Sequence, residues 1–205
     1  MAYPKLKVKI KLTTDMLGTV AKDPEIYKNF IESKKSKSKS IPTDPEIMKE
    51  NESETVEQAE IAGWTGFHKD SNGLFLYEYL IKGHLKEAGN VLKDNLKVKA
   101  LRSKIDDYVF ISPRRIYLGQ QDPDDVFERP IIGMTAQGQR VSLRRSDLIR
   151  AGKEIEYEIT MIPHEKINRG LIESLLQHGE LMGLGQFRNG GFGSFQVLEV
   201  SEVTQ

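Results

Sequence analysis

The chain has 205 residues, of which 38% are hydrophobic and 29% charged, and its 30 basic residues balance its 30 acidic ones. This composition excludes a globally disordered chain, and the length favours one domain. Because cysteine is absent, disulfides and thiolate metal sites are excluded as well. No apolar segment approaches the length of a membrane span. We therefore expect a soluble, cytoplasmic protein with no membrane partner.

The charges are unevenly distributed near the N-terminus. Residues 1–41 contain ten lysines against four acids, and residues 42–60 contain seven acids against one lysine. Three arrangements remain open: a basic face on a chain of zero net charge, mutual neutralisation of the two segments, or pairing of the segments between neighbouring copies. The last arrangement predicts an oligomer.

The first predicted element is a strand at Lys5–Leu12, where lysines alternate with apolar residues. Its lysine row is either solvated or directed at a nucleic acid. A short helix capped by Asp23 is predicted next. Residues 64–70 and 74–79 are predicted to form two strands on either side of a turn.

The remaining elements are predicted from apolar residues that recur with the period of a helix or of a strand. They are a helix at 81–96, a strand at 108–118 that is bulged or at an edge because of Pro113, a strand at 154–162, a helix at 165–178 and a closing strand at 194–200. Apart from insertions, the order is strand, helix, strand, strand, helix, strand. This is the βαββαβ pattern of a ferredoxin-like (RRM-like) α+β fold.

We therefore predict a single domain over residues 1–205. Its core comprises residues 1–13, 81–119 and 150–205, and its insertions comprise residues 14–80 and 120–149.

A glycine-rich loop precedes the closing strand and is the most informative segment. It contains Gly183, Gly185, Arg188, Gly190, Gly191 and Gly193. Glycine permits close backbone approach, so the loop amides could cradle a phosphate with Arg188 adding charge. The alternative is a tight connection packed against the sheet. A Rossmann loop is excluded because this loop follows a helix and precedes a strand.

Three motifs together resemble the RAMP superfamily of CRISPR-associated proteins, and its backbone subunits in particular. The first is the glycine-rich loop, the second is Leu-Ile-Lys-Gly-His-Leu-Lys-Glu-Ala at 80–88, and the third is Ser-Asp-Leu-Ile-Arg-Ala-Gly-Lys-Glu-Ile-Glu-Tyr at 146–157. The resemblance implies an antiviral-defence subunit that holds single-stranded, guide-like RNA along its backbone. It also implies that partners are copies of the chain or other RAMP-type subunits. No pair among the scattered histidines has metal-ligand spacing, so neither a metal nor another cofactor is expected.

The resemblance and the basic residues together give a set of expected RNA contacts. They are Lys82, Arg114, Arg115, Arg144, Arg145, Gly183, Gly185, Arg188, Gly190, Gly191 and Gly193. The chain departs from the family before the Lys-Gly pair, where Tyr-Glu-Tyr-Leu at 77–80 replaces Pro-Gly-Ser-Ser.

Two other functions stay open. Some RAMP relatives cleave RNA with an aspartate after the first strand, which makes Asp15 and Asp23 candidates for a metal-dependent endoribonuclease. Asp23 followed by Pro24 is also an ordinary helix cap, and we favour that interpretation. The zero net charge is compatible with a phage protein of the same fold that interferes with such complexes.

Overall fold

The computed structural model describes residues 3–22, 64–135 and 138–203. Its strands are β1 (Lys5–Leu12), β2 (Met16–Leu17), β3 (Val20–Ala21), β4 (Trp64–Gly66), β5 (His68–Asp70), β6 (Gly73–Tyr77), β7 (Val109–Ser112), β8 (Arg115–Tyr117), β9 (Asp125–Thr135), β10 (Gly138–Ile149), β11 (Glu154–Met161) and β12 (Phe195–Glu202). Its helices are α1 (Glu78–Leu92), α2 (Leu101–Tyr108) and α3 (Arg169–Met182).

The core is a four-stranded antiparallel sheet in the order β12–β1–β11–β7. Helix α1 packs against β7, and α3 packs against α1 and β12. Strand β1 alternates because Leu6, Val8, Ile10 and Leu12 enter the core. The prediction of a ferredoxin-like α+β fold is confirmed.

The outer face of this sheet carries the lysine row of β1. Lys7 lies 3.0 Å from Glu156, and Lys9 lies 2.8 Å from Glu154. These pairs form because antiparallel register places β11 glutamates opposite β1 lysines. The row is therefore neutralised by facing carboxylates, and the structure favours the solvated lysine row over one directed at a nucleic acid.

Two smaller sheets lie beside the core. The long hairpin β9–β10 pairs with β2 and β4, and β3 pairs with β4. The third sheet has the order β5–β6–β8.

Several predicted boundaries are wrong. The strand predicted at 108–118 is divided at Pro113, and its second half, β8, leaves the core sheet to pair with β6. Helix α1 ends at Leu92, and α2 was not predicted. Asp23 and the charged segment at 24–63 lie outside the described residues. Within the described ranges, no helix is long and apolar enough to cross a membrane.

Candidate nucleic-acid interface

The base of the glycine-rich loop is a tight connection. Leu184 donates a backbone hydrogen bond to the Gly193 carbonyl (2.8 Å), and Gly193 donates one to the Asp15 carbonyl (2.7 Å). A Cβ atom on Gly185 would lie 2.5 Å from the Leu17 carbonyl oxygen. Gly183, Gly185 and Gly193 also have positive φ angles, so these three positions need glycine for both space and conformation.

The glycine amides are largely used inside the chain. Gly183 donates to Gly179 (3.0 Å), Gly190 to Phe187 (2.9 Å) and Gly191 to Arg188 (2.9 Å). With the Gly193 bond, four of the five glycine N–H groups are occupied. The expected phosphate cradle is therefore not formed by these four amides in this conformation.

The tip of the loop packs against the β9–β10 hairpin through a phenylalanine cluster of Phe127, Phe187 and Phe192. Ring centroids are 4.8 Å apart for Phe127 and Phe192, and 5.7 Å apart for Phe187 and Phe192. All three side chains are only half-buried. The Arg129 guanidinium lies 3.7 Å from the Phe187 ring centroid, which is a cation–π contact.

Arg144 lies directly opposite Arg129 in the register of the hairpin. Among the described residues, neither arginine forms an ion pair. Like charges at facing positions repel each other, so an anion between the two guanidinium groups would stabilise the pair. The neighbouring Arg145 is different, because its Nε atom lies 2.6 Å from a carboxylate oxygen of Glu128.

A cleft of about 350 Å³ separates α1 from the loop and is lined by Tyr79, His84, Glu87, Gly185 and Arg188, among others. Arg188 donates two hydrogen bonds to the carboxylate of Glu87, at 2.9 and 3.2 Å. These bonds hold the pKa of the Glu87 carboxyl below its usual range. Glu87 is therefore ionised at neutral pH and occupies Arg188.

The other expected RNA contacts lie apart from the loop. Lys82 faces α2, donates to the Asp106 carbonyl (2.7 Å) and is not among the residues that line the cleft. Arg114 and Arg115 lie at the start of β8, in the third sheet, where Arg115 pairs with Asp70 at 2.7 Å. The structure thus places Arg144 on the hairpin beside the loop and Arg188 on the loop itself. Arg145 contacts Glu128 and Trp64 instead, and the other three residues lie outside the loop and hairpin.

Asp15 holds three segments together. Its Oδ1 atom accepts a hydrogen bond from the Ala151 amide (2.8 Å), and its carbonyl accepts the one from Gly193. The carboxylate thus supports the turn between β10 and β11, and the carbonyl supports the loop, which favours a structural role for Asp15 over a catalytic one. In the described part of the chain, no group of three His, Cys, Asp or Glu side chains is arranged to hold a metal ion.

Comparisons with known proteins add the fold relationship. No family model and no curated protein matches the chain. A chain from the cryo-electron microscopy structure of the type III-B Cmr-beta bound to cognate target RNA aligns with a TM-score of 0.53 and 13% identity. The two chains share a fold. The alignment covers 98% of this chain and 61% of the neighbour, so this chain spans less than two thirds of the neighbour's length.

Sequence reasoning missed Phe127, Arg129 and Glu87. Residues 120–149 were assigned to an insertion, and no elements were predicted within it, although Gly138 lies between two stretches that contain β-branched residues. Recognising a hairpin there would have placed Arg129 close to Arg144. The Glu87–Arg188 pair had no local signal, because the two residues are 101 positions apart.

His84 is buried between α1 and α3, with 5% of its surface exposed. Its Nε2 atom lies 3.2 Å from the Gly179 carbonyl oxygen. A Cβ atom on Gly179 would overlap the His84 ring, so the glycine makes room for the imidazole. Burial lowers the pKa of His84 to about 4.

We expect the free energy of unfolding to fall by about 2 kcal/mol between pH 7 and pH 5 because of His84. Over this interval the unfolded imidazole, with a pKa of about 6.5, takes up a proton that the folded one does not. Urea unfolding at the two pH values measures the loss. His84→Asn should remove the His84 contribution to the pH dependence, and His178→Gln should retain it. Equal pH dependence in both variants would contradict the assignment.

Proposed function

We propose that the chain is an RNA-binding subunit of a CRISPR-type ribonucleoprotein, which holds single-stranded RNA along its backbone between the hairpin and the glycine-rich loop. The observation that carries the proposal is the facing pair Arg129 and Arg144, without an ion pair in the described residues, beside the half-exposed phenylalanine cluster. Guanidinium groups next to aromatic rings suit a flexible strand, which offers phosphates and unstacked bases together.

Local charge explains how a neutral chain can bind a polyanion. The lysine row of β1 is compensated by β11, so it adds little net field. At the hairpin, in contrast, the repulsion between Arg129 and Arg144 is relieved when a phosphate lies between them. The zero net charge of the whole chain therefore does not argue against RNA binding at this surface.

Glu87 is an internal competitor for RNA at Arg188. The bidentate pair must open before Arg188 can contact a phosphate, and the pair is partly exposed, so its net contribution is on the order of 1 kcal/mol. RNA binding would thus exchange a carboxylate partner for a phosphate partner.

The biological setting belongs to the same proposal. The solved neighbour is described as bound to cognate target RNA, and this chain shares its fold. We extend from it a cytoplasmic role in antiviral defence, with guide-like RNA and with copies of this chain or other RAMP-type subunits as partners.

The direct test measures the affinity for a fluorescent single-stranded RNA across a series of salt concentrations. Arg129→Ala with Arg144→Ala should lower the affinity, and the slope of log K against log salt should shrink by about 1.4, since each lost phosphate contact contributes about 0.7. Arg150→Ala is the matched control, because this exposed arginine of the β10 end already pairs with Asp125. An unchanged affinity and slope in the double variant would refute the proposed surface.

In the same experiment, Glu87→Gln should change the RNA affinity in the opposite direction. Removing the competing carboxylate should raise the affinity about fivefold, which is the equivalent of 1 kcal/mol. Arg188→Ala should lower the affinity, and Glu87→Gln should then have no further effect on that background. If the wild-type chain binds no RNA, the interfering protein of the same fold is favoured, and if it degrades RNA only with divalent metal, the endoribonuclease is favoured.

A further inference from the structure

The outward face of the β5–β6–β8 sheet is lined with aromatic rings. We call this the aromatic face, and it consists of His68, Phe75, Tyr77, Tyr117 and, from the first turn of α1, Tyr79. Strand register places His68 beside Phe75 and Phe75 beside Tyr117. The rings form a continuous series, with centroids 5.3 Å apart for Tyr77 and Tyr79, 5.1 Å for Phe75 and Tyr77, and 5.8 Å for Phe75 and Tyr117.

Phe75 is the covered centre of this face, with 3% of its surface exposed, whereas Tyr79 and Tyr117 at its edges are exposed. The opposite face of the same sheet supplies the buried residues Leu74, Leu76 and Ile116. The outward face of a sheet packed on one side is ordinarily polar, yet here Tyr117 is 38% exposed, and Tyr79 of the adjoining helix α1 is 59% exposed. Exposed tyrosines that join one series of ring contacts indicate a binding site.

Arginines are interleaved with the rings. The Arg115 guanidinium lies 5.2 Å from the Phe75 centroid, and the Arg114 guanidinium lies 5.9 Å from the Tyr77 centroid. Arg115 is held by Asp70, whereas Arg114 makes no ion pair among the described residues. The surface therefore offers ring faces for stacking together with an available positive charge for a phosphate.

The aromatic face continues into the cleft at the glycine-rich loop. Tyr79 lines that cleft together with Gly185 and Arg188, and it also stacks on Tyr77. A strand that lies along Arg188 would meet Tyr79 next and then the remaining rings. Tyr79 thus connects the aromatic face to the cleft that Arg188 lines.

We propose that the aromatic face is a second RNA contact, which stacks unpaired bases of the strand whose backbone is held at the loop and hairpin. The inference rests on the proposed RNA binding and adds the part of the RNA that is recognised. Stacking on aromatic side chains tolerates any base, so this contact strengthens binding without selecting a sequence. Arg114 contacts a phosphate beside the stacked bases.

The test compares two single-stranded RNAs of equal length, one normal and one with abasic sites throughout. Wild type should bind the normal strand more tightly. Tyr79→Leu with Tyr117→Leu keeps apolar side chains but removes the rings, and it should weaken binding of the normal strand at least tenfold while leaving the abasic strand unaffected. Tyr79→Phe with Tyr117→Phe retains the rings and should keep the preference for the normal strand. Circular dichroism checks that both double variants are folded.

The outcomes separate this inference from the proposed function. A wild-type chain that binds neither strand refutes the proposed function itself. A chain that binds both strands equally, through Arg129 and Arg144, keeps the proposed function and overturns the base-stacking contact. If the leucine variant keeps its RNA affinity but changes its particle size in gel filtration, the aromatic face is a protein contact, and the inference is likewise overturned.

Discussion

Gly193→Val should yield no stably folded protein. A Cβ atom at this position would overlap the carbonyl oxygen of Leu184, and the neighbouring atoms are backbone, which cannot rotate away. The φ angle of +77° adds strain for any residue with a side chain. The same residue makes the two hydrogen bonds that close the loop on Leu184 and Asp15. We therefore expect a loss of more than about 4 kcal/mol in the free energy of unfolding.

Gly191→Ala is the matched control in the same loop. Its φ angle of +85° is similarly positive, but a Cβ atom there would meet nothing within 4 Å. Only the conformational cost of about 1 kcal/mol remains, so this variant should fold and unfold cooperatively in urea. If Gly193→Val proved as stable as Gly191→Ala, the close packing of the loop base would be refuted.

Asp147→Ala should lower the free energy of unfolding by about 2 kcal/mol. Asp147 is 2% exposed, and its Oδ1 atom accepts hydrogen bonds from Trp64 Nε1 (2.9 Å) and Lys22 Nζ (2.7 Å). Lys22 is partly exposed and regains water when the carboxylate is lost. The main cost is therefore the unsatisfied indole N–H and the space left by the carboxylate.

Asp147→Asn isolates the charge from the hydrogen bond. The amide oxygen of the introduced asparagine still accepts the hydrogen bond from Trp64. The free energy of unfolding of Asp147→Asn should therefore fall by about half as much as that of the alanine variant. Trp64 is the single tryptophan of the chain, and its fluorescence reports this site directly during urea unfolding. Equal stability of Asp147→Ala and wild type would show that the hydrogen bond from Trp64 to Asp147 does not hold β4 to β10.

The parts of the fold with a strong local period could be predicted from the sequence. Alternation in Lys5–Leu12 identified β1, and the order of the remaining periodic segments identified the ferredoxin-like core. For the strand at 108–118, Pro113 predicted a bulge or an edge position but not a division into two strands. The departure of β8 from the core sheet depends on pairing with β6, which no local pattern specifies.

The candidate site was harder to predict, because its partners are distant in sequence. The glycine-rich loop could be recognised from composition, but its amide bonds depend on where Asp15 lies in space. Arg188 was identified without its partner Glu87, and Arg144 without the facing Arg129. Charged side chains reveal their presence in the sequence, whereas their pairing is decided by tertiary structure.

The glycine-rich loop has a fixed base and an exposed tip. The base is fixed by the hydrogen bonds between Leu184, Gly193 and Asp15, while the tip, Asn189 to Gly191, is exposed and makes only local contacts. Insertions or a fluorescent label at Asn189 can therefore be accommodated without disturbing the sheet. Such a label would sit beside Arg188 and the phenylalanine cluster, where it would sense a bound strand.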